Sequence, residues 1–160
     1  MSAINTYSKK LLVPLLLVIF SGCANTQVNS EREALVNATR GAVNVIVTDN
    51  RVYQKALTSE PDEVKKALVY STLAKADILQ TFEKEAGSGF VIEESLNVRK
   101  LNDLCWMAKF LRQSKNDLPS KDQQIYADIY VWVGAKEQTW LKKINDTYTK
   151  DELGDKDCRK

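Results

Sequence analysis

Three cysteines, 21 acidic residues and no histidine set the chemistry open to this chain. Without histidine there is no Ser-His-Asp or Cys-His nucleophile, no imidazole ligand for zinc, and no general base of the commonest kind near neutral pH. Acid–base work would fall to carboxylates. Three acidic pairs are adjacent along the chain: Asp62-Glu63, Glu93-Glu94 and Asp151-Glu152. Neighbouring side chains on a helix do not face each other, so spacing alone makes none of these pairs an acid–base couple. Asp62 and Glu63 suit a first helical turn, where negative charge complements the dipole. All three pairs read as solvated helix surface. Gly87-Ser88-Gly89-Phe90 lacks the rest of a phosphate-loop pattern and reads as a helix break. Neither a metal nor a cofactor is expected.

The cysteines divide into one and two. Cys23 follows the apolar run LLVPLLLVIF, residues 11–20, and the small residues Ser21-Gly22. Cys105 lies in the apolar segment LNDLCWMAKFLR and Cys158 in the polar tail GDKDCRK. Neither has a neighbouring histidine or a CxxC partner to activate it. In an oxidising compartment such a pair reads as a bridge pinning the tail to the domain. The other reading makes Cys105 a buried apolar side chain.

The elements that place these residues start with the leader. Lys9-Lys10, ten apolar residues and a small-residue exit make a secretory signal peptide over residues 1–22. The apolar run is half the length of a membrane-spanning helix and contains Pro14. The segment Ile19-Phe20-Ser21-Gly22-Cys23-Ala24 resembles the lipobox of bacterial lipoproteins. That resemblance, confined to residues 1–24, implies cleavage before Cys23 and acylation of its sulfur and amine. Phe20 stands where the family usually has leucine, a bulky apolar replacement. Ala24, where aspartate would signal inner-membrane retention, implies the outer membrane, with the domain facing the periplasm. One acyl chain anchors marginally and three anchor firmly, at about 0.8 kcal/mol per buried methylene. The tether, residues 23–30, is short; seven residues span at most about 25 Å. It would hold a single helical domain, residues 31–160, close to the bilayer.

Hydrophobic residues make up 44% of the chain and charged ones 28%, an ordinary globular mix. The net charge of +2 comes from Lys9 and Lys10; removing them leaves 23 − 2 = 21 basic against 21 acidic residues. A neutral domain carries no electrostatic footprint for nucleic acid.

Beyond the leader the pattern is helical. Capping-box signatures begin at Ser30 (Ser-Glu-Arg-Glu), Ser59 (Ser-Glu-Pro-Asp) and Ser120 (Ser-Lys-Asp-Gln). The first segment places Ala34, Leu35, Ala38, Ala42, Val45, Ile46, Val52, Tyr53 and Ala56 near one face, although β-branched residues 41–49 are also compatible with a strand. The second, residues 60–86, sets Val64, Ala67, Leu68, Ser71, Lys75, Ile78 and Phe82 in register, with Leu73, Ala74 and Leu79 beside them. The third, about 92–115, turns Leu101, Leu104, Cys105, Ala108 and Leu111 inward, and the fourth, 121–149, turns Ile125, Ile129, Trp132, Trp140 and Ile144 inward. The fold class is all-α: a compact antiparallel bundle of about four helices.

A second stripe on the last helix, Tyr126, Tyr130 and Val133, has two readings. It widens the core contact, or it anchors a partner's amphipathic helix. The lipobox, the helical domain, the cysteine pair and FLRQSKNDLPS at 110–120 together resemble the pilotins, small helical lipoproteins that escort secretin subunits to the outer membrane. This implies a non-enzymatic module that binds an envelope protein. The same architecture suits a protective lipoprotein, acting in superinfection exclusion or as an immunity factor against an envelope-attacking toxin or enzyme. A third possibility is a carboxylate-dependent peptidoglycan enzyme, which requires a cleft with converging acidic side chains.

Overall fold

The computed structural model describes residues 28–45, 47–87, 92–149 and 151–160. The leader, Cys23, Ile46 and residues 88–91 lie outside the described residues. The chain divides into two units, Met1–Asn37 and Ala38–Lys160. Residues 28–37 of the first are helical, so Ser30 lies within a helix rather than capping one. The described residues of the second unit form six α-helices: residues 38–45 (α1), Asn50–Thr58 (α2), Asp62–Glu85 (α3), Val98–Ser114 (α4), Ser120–Ile125 (α5) and Ala127–Thr147 (α6). Single 3-10 turns occupy Ile92–Ser95, Lys115–Asp117 and Gly154–Lys156. The described residues form an all-α helical bundle and include no strand.

Two of the four expected helices are each divided. The first breaks at residues 47–49, where the Asp49 carboxylate accepts the Arg51 N–H at 2.9 Å and starts α2. An Asx cap of this kind competes with helix continuation. Lys75 on α3 ties down the break by donating to Thr48 Oγ1 at 2.5 Å. The strand alternative for 41–49 is not realised, since residues 41–45 are helical. The last expected helix divides at Tyr126, whose φ of −95° and ψ of 13° leave the helical range. The capping boxes at Ser59 and Ser120 do not form. Ser59 instead closes α2 by donating to the Lys55 carbonyl, and prolines 61 and 119 occupy the positions before α3 and α5.

α4 is the centre of the bundle, packing against α2, α3 and α6. Leu101, Leu104, Cys105, Met107, Ala108, Phe110 and Leu111 are buried around most of its circumference. A helix whose apolar residues spread around so much of its surface is stable only at the centre of a core. Tyr53 of α2 packs its ring on Phe110, with centroids 5.3 Å apart. α3 contributes Val69, Leu73, Ala76 and Leu79. This shifts the expected register of α3: Leu73 and Leu79, expected beside the inward stripe, are at its centre, while Val64, Ala67, Ser71 and Ile78 are exposed. Its buried stripe includes Thr72 and Gln80, which masked the apolar period. Thr72 is tolerated there because its hydroxyl donates to the Leu68 carbonyl at 2.7 Å. Val45, Val52 and Ile125, also expected inside, are exposed.

The tail is docked onto α4. Cys105 and Cys158 lie at disulfide distance, with sulfurs 2.02 Å and Cα atoms 6.0 Å apart. Asn102 grips the same segment twice: its amide donates to the Lys156 carbonyl at 2.8 Å and accepts the Cys158 N–H at 3.1 Å. The Trp106 indole donates to that Lys156 carbonyl at 2.7 Å. Arg159 pairs with buried Asp157 and reaches the Tyr148 and Thr149 carbonyls at the end of α6. Gly154, at φ 55°, supplies the left-handed residue that turns the chain back.

Cross-linking residues 53 positions apart should stabilise the fold by about 4 kcal/mol in the chain-entropy model. Urea unfolding with and without reductant is expected to show most of that loss. A difference below about 1 kcal/mol would mean that Asn102, Trp106 and Arg159 hold the tail without the bridge.

Candidate functional site

α6 presents three stripes. The buried one is Ile129, Val133, Glu137, Trp140 and Ile144, which faces α4. Val133 is 2% exposed and belongs to this core stripe, so it is not a surface anchor. The correction has a simple cause: two apolar stripes lie side by side on this helix, and packing against α4 selects the one through Val133. Glu137 is tolerated inside because Arg112 of α4 pairs with both of its oxygens at 3.2 Å.

Tyr126 and Tyr130 are half-buried at the end of α6 where α3, the Lys115–Asp117 turn and α5 meet. The Tyr70 hydroxyl of α3 donates to Asp122 of α5, and its ring meets Tyr126 edge-on at 6.3 Å. The Lys115 ammonium sits 5.2 Å from the centre of the Tyr130 ring. Lys65 of α3 pairs with Asp117 at 2.7 Å. The Tyr130 hydroxyl is buried without a hydrogen-bond partner. Burial, followed by the charge of Asp117 and the proximity of Tyr70, pushes this phenol up to about 12. Two exposed apolar side chains lie close along the chain, Ile125 at 63% and Val131 at 74%. Tyr126 and Tyr130 are therefore fixed by Tyr70 of α3 and by Lys115 of the preceding turn. Such a surface can bury an apolar helix face while offering hydroxyl and carboxylate partners at its edge.

Further along α6 lies a charged network that sequence spacing did not reveal. Glu83 at the end of α3 and Glu93 in the following 3-10 turn converge on Lys136 of α6. Lys136 pairs with Glu83 and donates to both Glu93 oxygens, at 3.1 and 3.2 Å. Trp132 gives its indole N–H to Glu83 at 2.8 Å, and Trp140 gives its own to Glu93 at 2.9 Å. The two indoles meet edge-on, 6.2 Å apart. Each carboxylate thus has a cation and an indole donor, which is the condition for keeping charge out of water. Two convergent carboxylates are what a hydrolase would need, but here both are engaged by the domain's own side chains. Of the other acidic pairs, Asp62 and Glu63 border a cavity of about 300 Å³ with Lys65, Lys66 and Asp117. Glu152 accepts the Thr149 N–H at 2.6 Å and its hydroxyl at 3.0 Å. Among the described residues no group of three or more Cys, Asp or Glu side chains is arranged to hold a metal ion.

Replacing Lys136 with methionine should leave buried Glu93 facing half-buried Glu83 without their shared cation and cost about 3 kcal/mol in urea unfolding. A loss under about 1 kcal/mol would show the network to be solvated. Tyr130→Phe tests the phenol separately. Its folded-state value lies above that of an unfolded tyrosine, so its contribution is complete below about pH 10 and is lost as pH rises towards about 12. The variant should match the parent at pH 7 and show a flatter decline in stability between those limits. An unchanged alkaline slope would place the hydroxyl in water. Comparison of the chain with protein families, characterised proteins and solved structures returns no match.

Proposed function

We propose that the chain is a lipoprotein whose helical domain binds another protein of the bacterial envelope, with acylated Cys23 holding it at the outer membrane on the periplasmic side. The observation that carries the anchoring half is the run from Lys9 to Cys23: two lysines, ten apolar residues and two small residues before a cysteine. Among the described residues no helix is long and apolar enough to cross a membrane, so a lipid would be the route to the bilayer that the sequence supports.

The binding half is supported by the surface at the α5–α6 junction. Tyr126 and Tyr130 supply aromatic area there, and Ile125 and Val131, each next to one of them in sequence, are exposed aliphatic side chains. Tyrosine buries a large ring at low conformational cost, and an amphipathic helix is the partner whose apolar stripe suits it. Tyr130 is held by packing and Tyr70 braces Tyr126, so little order would have to be created on association. The role is that of an escort or accessory factor for an envelope assembly or secretion machine, in the manner of a pilotin.

Two measurements test it. Radiolabelled palmitate should enter the parent and not a Cys23→Ser variant, and that variant should leave the outer-membrane fraction. Cross-linking pull-down from membranes should recover a protein partner, and Tyr126→Ala should weaken its binding by at least about 2 kcal/mol. Equal fractionation of the two proteins, or no partner above background, would sink the corresponding half.

A further inference from the structure

We infer that the face of α4 covered by the C-terminal tail is a binding site for an extended, cysteine-bearing peptide, closed when Cys105 joins Cys158 and open when that bond is reduced. Asn102, Cys105, Trp106 and Lys109 stand at helical spacing on one side of α4. Among the described residues, the hydrogen bonds from α2 and α4 to the tail all go to main-chain atoms. The Asn102 amide donates to the Lys156 carbonyl at 2.8 Å and accepts the Cys158 N–H at 3.1 Å. The Trp106 indole donates to the same Lys156 carbonyl at 2.7 Å, the Lys109 ammonium to the Cys158 carbonyl at 3.4 Å, and the Gln54 amide to the Asp155 carbonyl at 3.2 Å. Between the gripped residues Asp157 is extended, with φ −69° and ψ 116°. A surface of this kind reads backbone shape with little regard to side chains, and main-chain hydrogen bonds are what give peptide-binding surfaces their affinity.

Two features make the tail a separable strap over this face. First, it meets the helices along a narrow strip. A cavity of about 490 Å³ lies between tail residues 151–154 and 156 and the starts of α2 and α4, and one of about 770 Å³ lies between Asp151, Asp157, Arg159, Lys160 and α6. Second, the bridge decides whether the strap stays down. Hydrogen bonds that replace bonds to water contribute little net, while fixing residues 151–160 costs entropy at each of them. The apolar packing of α4 against α2, α3 and α6 does not involve the tail and holds the face in shape when the strap lifts. Lifting leaves the Asn102 amide and the Trp106 N–H without the partners they have in the closed form. Another extended main chain supplies the same carbonyl and N–H.

Capture and closure are both thiol–disulfide exchange. In the reduced protein the Cys105 thiolate attacks the peptide's cysteine sulfur, itself held in a disulfide with a small thiol. The new bond joins Cys105 to the peptide, and the small thiolate leaves with the electron pair of the bond that breaks. Closure reverses the occupancy: the Cys158 thiolate attacks Cys105, forms the internal bridge and expels the peptide as its thiolate. A dithiol reductant reopens the site, giving two electrons to the bridge and leaving as its own disulfide. The site is separate from the tyrosine surface and from Cys23.

The test uses the full chain with Cys23→Ser, which leaves Cys105 and Cys158 as its cysteines. The probe is a synthetic peptide of residues 154–160 whose cysteine carries thionitrobenzoate, a coloured leaving thiol; glutathione carrying the same group is the reference. The oxidised protein should release no colour. Cys158→Ala should release it in proportion to protein, at least about tenfold faster with the peptide than with glutathione. Adding Asn102→Ala should slow the peptide about tenfold and leave the glutathione reaction unchanged, which loss of shielding alone would not do. The reduced parent, freed of reductant, gives a second reading that needs no change at Cys158: it should take up the peptide and then expel it as the bridge closes. The inference is overturned if Cys105 reacts in both forms only after denaturant is added, if the peptide reacts no faster than glutathione, or if Asn102→Ala leaves the peptide rate within about twofold.

Discussion

The burial of α4 on nearly every side is the constraint from which the rest of the structure follows. Its apolar residues gain by leaving water, but the helix also brings Asn102, Trp106 and Ser114 inside. Polar atoms taken inside need partners. Asn102 and Trp106 find theirs in main-chain atoms of the C-terminal tail. The tail is therefore part of the core. The Cys105–Cys158 pair sits beside these hydrogen bonds, so covalent and non-covalent fasteners act on the same few residues.

The same demand explains the charged groups between helices. Glu137 on the buried stripe of α6 meets Arg112, and Glu93 meets Lys136 and Trp140. Apolar residues could fill these places at no loss of stability in many proteins, while breaking one half of such a pair is costly. What the ion pairs add is direction. They accept only certain rotations of α6 against α3 and α4, and the selected rotation turns Val133 inward and leaves Tyr126 and Tyr130 at the rim. The proposed partner surface is thus a by-product of how the interior charges are matched.

The proposed tyrosine surface is aromatic and edged by paired charges, which suits a protein helix. Its position depends on the rotation of α6.

Composition and period alone established an all-α chain, the inward face of α4 and the leader-like run before Cys23, because each of these is written in contiguous residues. Leu101, Leu104, Cys105, Ala108 and Leu111 recur at helical spacing with few polar interruptions, so their face needed no neighbour to identify it. Other features depended on partners distant in sequence. The core stripe of α3 contains Thr72 and Gln80, and its outer face contains Val64 and Ile78, so hydropathy pointed to a stripe next to the buried one. Val133 and Ile125 exchanged places for a similar reason: two apolar stripes were available and contact with α4 chose between them. Glu83, Glu93 and Lys136 had no motif, since their meeting requires the end of α3, a 3-10 turn and the middle of α6 to converge. The unpartnered hydroxyl of Ser95 was equally invisible, because a missing hydrogen bond is a property of surroundings. Local periodicity is set by the chain itself, whereas the choice of face and the matching of buried polar groups are settled only when elements far apart in sequence compete for the same space.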